Sequence, residues 1–301
     1  MQISWLFASL LVPLFWGLTN VFDQILQRNY AKDELNLTLA SALSRLPEAL
    51  LLFLMFGFFL PSVPVLLLSF LHCMILTISI FFYCRALQHE EATRVIIFFQ
   101  TIPVFVFVLS SLFLGEVLTL VQFLAFFTLL FAGFLSLYRG DISVGKFSPA
   151  LRAVLIFSLL SAVNDVLLKY VLQFFPSGEL MLPWSVLGGF LALIPLSFFS
   201  FVRKRFTAQN FSWFRSGWHV FLLSLVFGVG GFYFFFDAAH KGSISLTSVF
   251  IGIQPLFTSF FLFFAGRFFS DVPKENFRGR VLLFKVLAFV LSLIGLWLIN
   301  R

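Results

Sequence analysis

The feature that most constrains this chain is a succession of apolar segments, each close to 20 residues long and separated by short polar turns. A helix needs about 20 apolar residues to cross the hydrocarbon core of a bilayer. The segment from Val95 to Leu114 meets this requirement without a single charged side chain. Because only helices and closed barrels satisfy their backbone hydrogen bonds in lipid, the pattern predicts an all-α membrane protein.

Ten membrane-spanning segments are predicted. They are Ile3 to Phe22, Leu37 to Leu60, Val63 to Tyr83, Val95 to Leu114, Val117 to Tyr138, Ala150 to Leu172, Leu180 to Val202, His219 to Phe236, Ile244 to Ala265 and Val281 to Ile299. The first lacks a preceding basic stretch and a small-residue cleavage site, so we interpret it as a retained helix rather than a signal peptide. The loops are short, and the function is therefore expected to lie within the bilayer.

Composition supports this class and argues against others. Hydrophobic residues make up 60% of the chain, charged residues 11%, and the mean hydropathy is +1.03, whereas about a quarter of a soluble chain is charged. The net charge of +7 comes from Lys and Arg in loops between apolar segments, which argues against a nucleic-acid partner. Cys73 and Cys84 lie about 16 Å apart on one predicted helix, too far for a disulfide. No metal site and no cofactor are predicted.

Two parts of the chain have an alanine and a proline at the same spacing. Ala86 and Pro103 are 17 residues apart, and so are Ala238 and Pro255. A proline inside a helix removes a backbone hydrogen bond and bends the helix, so both spans are predicted to kink, the first with a freed carbonyl at Phe99. The shared spacing indicates an internal repeat.

The division of the chain falls near residues 139–149, which gives two domains, 1–145 and 146–301, with five spans each. An odd number of spans makes the second half enter the membrane in the opposite sense. We therefore predict two inverted five-helix repeats, a plan typical of secondary transporters.

The charges of the loops predict an orientation. Sixteen Lys and Arg residues lie in or beside the loops after the odd-numbered spans, and only Lys241 and Arg301 lie on the other side. Since positive loops stay in the cytoplasm, both termini are predicted to lie outside it.

A residue pattern runs from the end of the third span to the start of the fifth: Ala86, Leu87, Ala92, Val95, Pro103, Leu114, Gly115, Glu116, Leu118 and Thr119. Together with Trp16-Gly17 in the first span and Arg45 in the second, it resembles the drug/metabolite transporter superfamily, specifically its ten-helix EamA-type carriers. The resemblance implies alternating access, without ATP, around a central cavity lined mainly by the first, third, fourth, sixth, eighth and ninth helices.

The chain departs from that family in two respects. The second half has Gly266, Arg267 and Phe268 where a second Leu-Gly-Glu would fall. The family also usually keeps both termini in the cytoplasm, which the loop charges of this chain contradict.

Charged residues within spans are candidates for function, because a charge at the bilayer centre costs about 2.5 to 3.5 kcal/mol. Arg45 and Glu48 are three residues apart on one helix face and are expected to pair. The pair is interpreted either as a structural ion pair or as part of a substrate or proton site. Asp165 and Lys169 are four residues apart, and this pair is predicted to exchange partners with a charged substrate.

Substrate binding is predicted where polar side chains recur on the first and sixth spans. Trp16, Asn20 and Gln24 follow one another at intervals of four residues and form one stripe. Asn164 and Asp165 occupy the corresponding place in the sixth span. Matched polar stripes suit a binding site at the bilayer midplane, although helix-to-helix hydrogen bonds use the same residue types.

Aromatic and acidic residues close the third and eighth spans at similar places. Tyr83, Tyr233 and Asp237 are predicted to contact substrate or gate its path, with interfacial anchoring as the alternative. Phe98 is a further candidate contact, although the 48 phenylalanines occur around most spans.

The remaining candidates are structural or gating residues at turns. Gln100 and Gln254 precede Pro103 and Pro255 and are expected to satisfy freed carbonyls or contact substrate. Glu116 is interpreted as structural, since a carboxylate near a helix start is favoured by the helix dipole.

These observations predict a secondary active transporter, either an exchanger or a carrier coupled to protons or ions, in the inner membrane of a bacterium. Its partners would be the bilayer, a small metabolite such as an amino acid, a nucleoside-type cofactor or a cationic compound, and a coupling proton or counter-substrate. A monomer and a homodimer are both compatible with the sequence. Within the same family, exchange of S-adenosylmethionine for S-adenosylhomocysteine by a host-dependent bacterium is an alternative.

Two alternatives come from other classes. Glu90, Glu91 and Arg94, with Phe236 and His240, are similar to motifs of CAAX-type membrane proteases. The first motif is one residue short, and both lie at span ends, so an enzyme is not predicted. A membrane scaffold without transport activity is the other alternative.

Overall fold

The computed structural model describes residues 4–31, 34–89, 99–136, 149–204, 211–268 and 279–299, and every regular element in these ranges is a helix. The helices are α1 (Trp5–Asn29), α2 (Glu34–Phe56), α3 (Val63–His89), α4 (Thr101–Phe113), α5 (Leu120–Ser136), α6 (Pro149–Leu172), α7 (Gly178–Leu191), α8 (Phe214–Lys241), α9 (Ile244–Ile251), α10 (Gln254–Phe268) and α11 (Gly279–Ile299). Two short helices, Leu193–Ser197 and Ser200–Arg203, follow α7.

The ten predicted spans are confirmed among the described residues. Eight segments are long and apolar enough to cross a membrane, one of them formed by α9 and α10 together, and α4 and α5 are two shorter apolar helices. Outward-facing side chains such as Leu54 and Phe289 are apolar and exposed, as a lipid-facing surface requires. The inverted relation of the two halves stays a prediction.

The helices pack in pairs that agree with two equivalent halves. α1 packs along α8, and α3 packs along α6, which is the same pairing with the halves exchanged. α2 contacts α7, α4 contacts α9, and α5 packs on α11, so each of these joins a helix to its expected equivalent. Among the large apolar side chains of α1 only Phe7 is exposed, so α1 lies in the interior of the bundle.

Close packing of α1 on α8 and of α3 on α7 depends on glycine. A Cβ atom at Gly231 on α8 would lie 2.2 Å from the ring of Trp16, and one at Gly188 on α7 would lie 2.3 Å from the carbonyl oxygen of Phe70. Neither position leaves room for a side chain, and the helices therefore approach each other backbone to side chain and backbone to backbone.

The prolines break their spans instead of bending them, which corrects the predicted kinks. Pro103 lies in the first turn of α4, and Pro255 lies in the first turn of α10. The first N–H groups of a helix have no partner within it, so proline fits there without loss of a hydrogen bond. The ninth span is interrupted at Gly252 and Ile253, between α9 and α10.

Candidate functional site

A small cavity, partly open to solvent, lies beside the two proline-containing interruptions, and its empty space of about 330 Å³ includes some of that solvent. It is bounded by α1, by the start of α4, and by the break between α9 and α10. The lining residues are Asn20, Phe99, Gln100, Ile102, Pro103, Ser248, Ile251, Gly252, Gln254 and Pro255. None of these lining side chains is charged, and four of them carry an amide or a hydroxyl group.

The break in the ninth span frees a carbonyl that the fourth span binds. Ile253 N donates to Phe250 O at 3.1 Å and Leu256 N donates to Ile253 O at 3.0 Å, so the normal partner of the Gly252 carbonyl is used elsewhere. Gln100 Nε2 donates to Gly252 O instead, at 2.7 Å. Gln100 therefore satisfies a freed carbonyl, as the sequence predicted for the glutamines before the two prolines, although the carbonyl belongs to the other half.

Two polar atoms beside the cavity have no protein partner. Gln100 Oε1 and Ser248 Oγ make no hydrogen bond, and their side chains are 1% and 0% exposed. A buried polar atom without a partner costs about 1 to 3 kcal/mol. The cavity thus offers a hydrogen-bond acceptor, Gln100 Oε1, and a hydroxyl group, Ser248 Oγ, to a polar ligand. Sequence reasoning missed Ser248, because a lone serine in an apolar run has no distinguishing pattern.

The polar stripe of α1 faces the interior of the bundle at two of its three positions. Trp16 packs edge-on against Phe232 with ring centroids 5.5 Å apart, and it also contacts Phe235 at 5.4 Å. Asn20 lines the cavity one turn further on, and Gln24 is half-buried. Their role in substrate binding stays a prediction.

The predicted pair on the second span is formed. Arg45 Nη1 and Glu48 Oε1 lie 2.7 Å apart, and the side chains are 12% and 9% exposed. The guanidinium of Arg45 also lies 5.1 Å from the ring centroid of Phe232, a cation–π geometry. Glu48 Oε2 has no hydrogen-bond partner.

A further acid lies close to that pair. Asp23 on α1 accepts a hydrogen bond from the hydroxyl of Ser224 on α8, and it lies within electrostatic range of Arg45. Arg45, Glu48 and Asp23 therefore form one charge cluster between α1, α2 and α8, separate from the residues that line the cavity.

The predicted ion pair on the sixth span is not formed, which corrects that expectation. Lys169 Nζ donates to Ala239 O at 2.6 Å and to Gly242 O at 2.7 Å. These carbonyls end α8, and a cation is favoured at the negative end of a helix dipole. Asp165 is buried, 7% exposed, with the side chain of Asn164 beside its carboxyl group.

Glu116 lies at a helix start, as predicted, but the helix belongs to the other half. Its Oε2 accepts from Ser245 Oγ at 2.6 Å and from Ser245 N at 3.4 Å, at the first turn of α9. Ser110 Oγ lies 2.8 Å from Ser245 Oγ and extends this network. The α8–α9 junction, which we define as residues 239–243, is thus held by Lys169 through its carbonyl groups and by Glu116 just after its end.

The predicted gate residues make separate contacts, although Tyr233 and Asp237 lie one turn apart on α8 and within electrostatic range of each other. Tyr83 packs against Phe99, at 5.4 Å between ring centroids, and so contacts a residue that lines the cavity. Tyr233 stacks on Phe56 at 5.5 Å. Asp237 pairs with Lys241 at 2.6 Å. Neither Tyr233 nor Asp237 lines the cavity.

Other candidates lie outside the described residues or have a different contact. Phe98, Glu90, Glu91 and Arg94 belong to residues that the structure does not describe. His240 Nε2 lies 3.2 Å from the carbonyl oxygen of Phe175, so this part of the protease-like motif contacts the backbone of the turn between α6 and α7.

Comparison with known proteins gives a family match and similar solved structures. Residues 3–138 match the model of the EamA-like transporter family. No curated protein matches this sequence. A solved crystal structure of another protein is similar over 97% of this chain and 94% of its own, with a TM-score of 0.67 and 16% sequence identity, which shows a shared fold. The resemblance drawn from the sequence motifs is thereby confirmed.

Proposed function

We propose that this chain, whose residues 3–138 match the EamA-like transporter family, is a secondary active transporter that carries a small polar metabolite by alternating access. The family match and the helices of membrane-spanning length support a multi-pass membrane protein of the drug/metabolite transporter type.

The cavity at the interrupted spans carries the proposal. Discontinuous helices near the middle of a bundle are a recurring way to build a transporter site, because backbone that is not helical is tolerated in a membrane only where it faces protein or a cavity. α9 has eight residues and ends at this cavity, so the site lies about 12 Å inside the end of the bundle at which α9 begins. This depth suits a substrate that is bound midway.

The lining indicates the chemistry of the substrate. Asn20, Gln100, Ser248 and Gln254 offer donors and acceptors without charge, and Phe99 adds an apolar wall. A substrate with amide, hydroxyl or heterocyclic groups would satisfy these atoms. A phosphate group would find no cation among the lining residues.

S-adenosylmethionine is less well supported than a neutral polar metabolite. Its sulfonium would need an anion or several aromatic faces in the cavity. Neither Asp23 nor Asp165 lines it, and Phe99 is the one aromatic residue among the lining side chains.

Transport by the purified protein in liposomes tests the proposal. Radiolabelled amino acids, nucleosides and related polar compounds would be screened for uptake and exchange, with pH and sodium varied on each side. Asn20→Leu and Ser248→Ala should each raise the KM of an accepted substrate about tenfold, because each removes one hydrogen bond worth about 1 to 1.5 kcal/mol.

Ser197→Ala is the matched control, since Ser197 is exposed and its hydroxyl bonds only the local carbonyl of Ile194. The control should transport as the unchanged protein does. A protein that exchanges none of the compounds, or cavity variants with unchanged KM, would contradict the proposal.

A further inference from the structure

Lys169 and Asp165 lie on the same helix at a spacing that permits an ion pair, and yet they are not paired. Positions four apart on a helix are neighbours on its surface, with a rise of about 6 Å between them. The ammonium group of Lys169 instead donates to the carbonyl oxygens of Ala239 and Gly242, at 2.6 and 2.7 Å. The carboxyl group of Asp165 is buried, with the neutral side chain of Asn164 beside it.

The contact of Lys169 with the α8–α9 junction is connected to the cavity. α9 starts directly after the junction and runs eight residues to the break that lines the cavity. Glu116 holds the first turn of α9 through Ser245, and it attracts Lys169 electrostatically. A displacement of the junction therefore moves α9 and the cavity wall with it.

Opening of the bundle at this end would remove the two carbonyl acceptors of Lys169. Its two carbonyls belong to the junction, so separating the junction from α6 removes both hydrogen bonds at once. An uncompensated cation in a desolvated position is costly. The carboxyl group of Asp165 lies one turn earlier on the same helix and is close enough to replace the two carbonyls as the partner of Lys169.

The protonation state that suits Asp165 depends on the position of Lys169. With Lys169 on the junction its neighbour is neutral, so the carboxyl group is better accommodated with its proton. With Lys169 turned towards it, the carboxylate is accommodated as an ion pair. Each position of the lysine therefore suits one protonation state of the aspartic acid.

We propose that Lys169 and Asp165 form a proton-linked switch, in which Lys169 holds the α8–α9 junction while Asp165 is protonated and pairs with Asp165 when its proton has left. The proton passes to water at the end of the bundle that carries the junction, and the lysine keeps its charge throughout. This inference rests on the proposed alternating-access function and names the residue that couples it to protons.

Other titratable groups near α6 have contacts of their own. On α3, His72 packs edge-on against Phe236. On α8, Asp237 pairs with Lys241, and His240 contacts Phe175 O. The other titratable residues of α3 and α8 are Cys73, Tyr83, Cys84, Arg85, His89, Arg215, His219 and Tyr233, and α4 and α9 contain none. Glu116, between α4 and α5, is the acid that acts on Lys169 from outside α6.

Cysteine labelling tests the switch without any substrate. Thr247 is fully buried on α9 behind the junction, so a Thr247→Cys reporter should react with a membrane-impermeant maleimide only when this end opens. The reporter would be placed in a protein with Cys73→Ala and Cys84→Ala. Ser62→Cys, an exposed position before α3, corrects for the pH dependence of the thiol reaction itself.

The corrected labelling rate should rise with pH, by at most about tenfold per pH unit, the limit for one linked proton. Asp165→Asn should keep labelling low at every pH, because the neutral amide cannot recruit the lysine. Lys169→Gln should remove the pH dependence, although glutamine still donates to the junction carbonyls. Lys169→Arg retains the charge and should retain the pH dependence.

If Lys169 only caps α8, the labelling rates of Asp165→Asn and Lys169→Gln should depend on pH as the rate of the parent protein does, or the parent should show no pH dependence. Either result would overturn the switch. The outcome is independent of the uptake assay. Labelling that follows pH as expected in a protein that transports nothing would contradict the proposed function and leave the switch standing.

Discussion

Gln100 donates a hydrogen bond from its side-chain amide to the carbonyl oxygen of Gly252, with 2.7 Å between the two atoms. The two residues are 152 positions apart, which is also the separation of Pro103 and Pro255. Equivalent positions of two repeats meet only near the axis that relates them. The contact therefore agrees with two related halves that join at the interrupted spans, beside the cavity.

The first prediction concerns this hydrogen bond. Gln100→Leu leaves the buried Gly252 carbonyl without a donor, which should cost about 1 to 3 kcal/mol and lower the thermal unfolding temperature of the detergent-solubilised protein by a few degrees. Gln173→Leu is the control, because Gln173 is exposed. Equal unfolding temperatures for the two variants would show that the hydrogen bond contributes nothing to stability.

The second prediction concerns the approach of α3 to α7. A Cβ atom at Gly188 would lie 2.3 Å from the backbone carbonyl oxygen of Phe70, so Gly188→Ala must push the two helices apart. We expect a loss of about 1 to 3 kcal/mol, as for other overpacked interiors. Gly228→Ala on α8 should be tolerated, since its nearest neighbour, Thr19, would be 3.9 Å away. Comparable thermal unfolding of both variants would contradict the packing.

Much of the fold was predictable from the sequence, because hydrophobic length alone identifies spans in a membrane protein. The ten spans and the Arg45–Glu48 pair follow from apolar runs and from spacing on one helix. Those predictions needed no knowledge of which helices are neighbours.

The contacts between distant parts of the chain were not predictable in the same way. Spacing allowed Lys169 to pair with Asp165, but the carbonyls at the end of α8 compete for the ammonium group, and only the fold brings them near. The role of Glu116 at the start of α9 and the position of Ser248 in the cavity lining depend on the same tertiary arrangement. The prolines were recognised, but whether they bend or break a span depends on whether another helix satisfies the freed carbonyl.

The third prediction concerns orientation. The loop charges place both termini outside the cytoplasm. Single cysteines at Met1 and Arg301, in a protein with Cys73→Ala and Cys84→Ala, should react in intact cells with an impermeant maleimide. Reaction only in inverted membrane vesicles would show the opposite orientation, the one usual for the family, and would mean that the loop charges do not determine the topology of this chain.

The last prediction concerns the charge cluster of Arg45, Glu48 and Asp23. Arg45→Ala leaves Glu48 buried and without its cation, whereas Arg45→Ala combined with Glu48→Ala removes both charges. Breaking a buried pair by removing one partner costs about 3 to 5 kcal/mol, and removing both costs much less. The single variant should therefore unfold at a lower temperature and accumulate less in the membrane than the double variant.

Glu48→Ala completes the double-mutant cycle and gives the coupling free energy between Arg45 and Glu48. Asp23 lies within electrostatic range of Arg45, so Asp23→Asn in the double variant should raise its unfolding temperature. Equal stability of the Arg45→Ala and double variants would contradict an ion pair that stabilises the bundle.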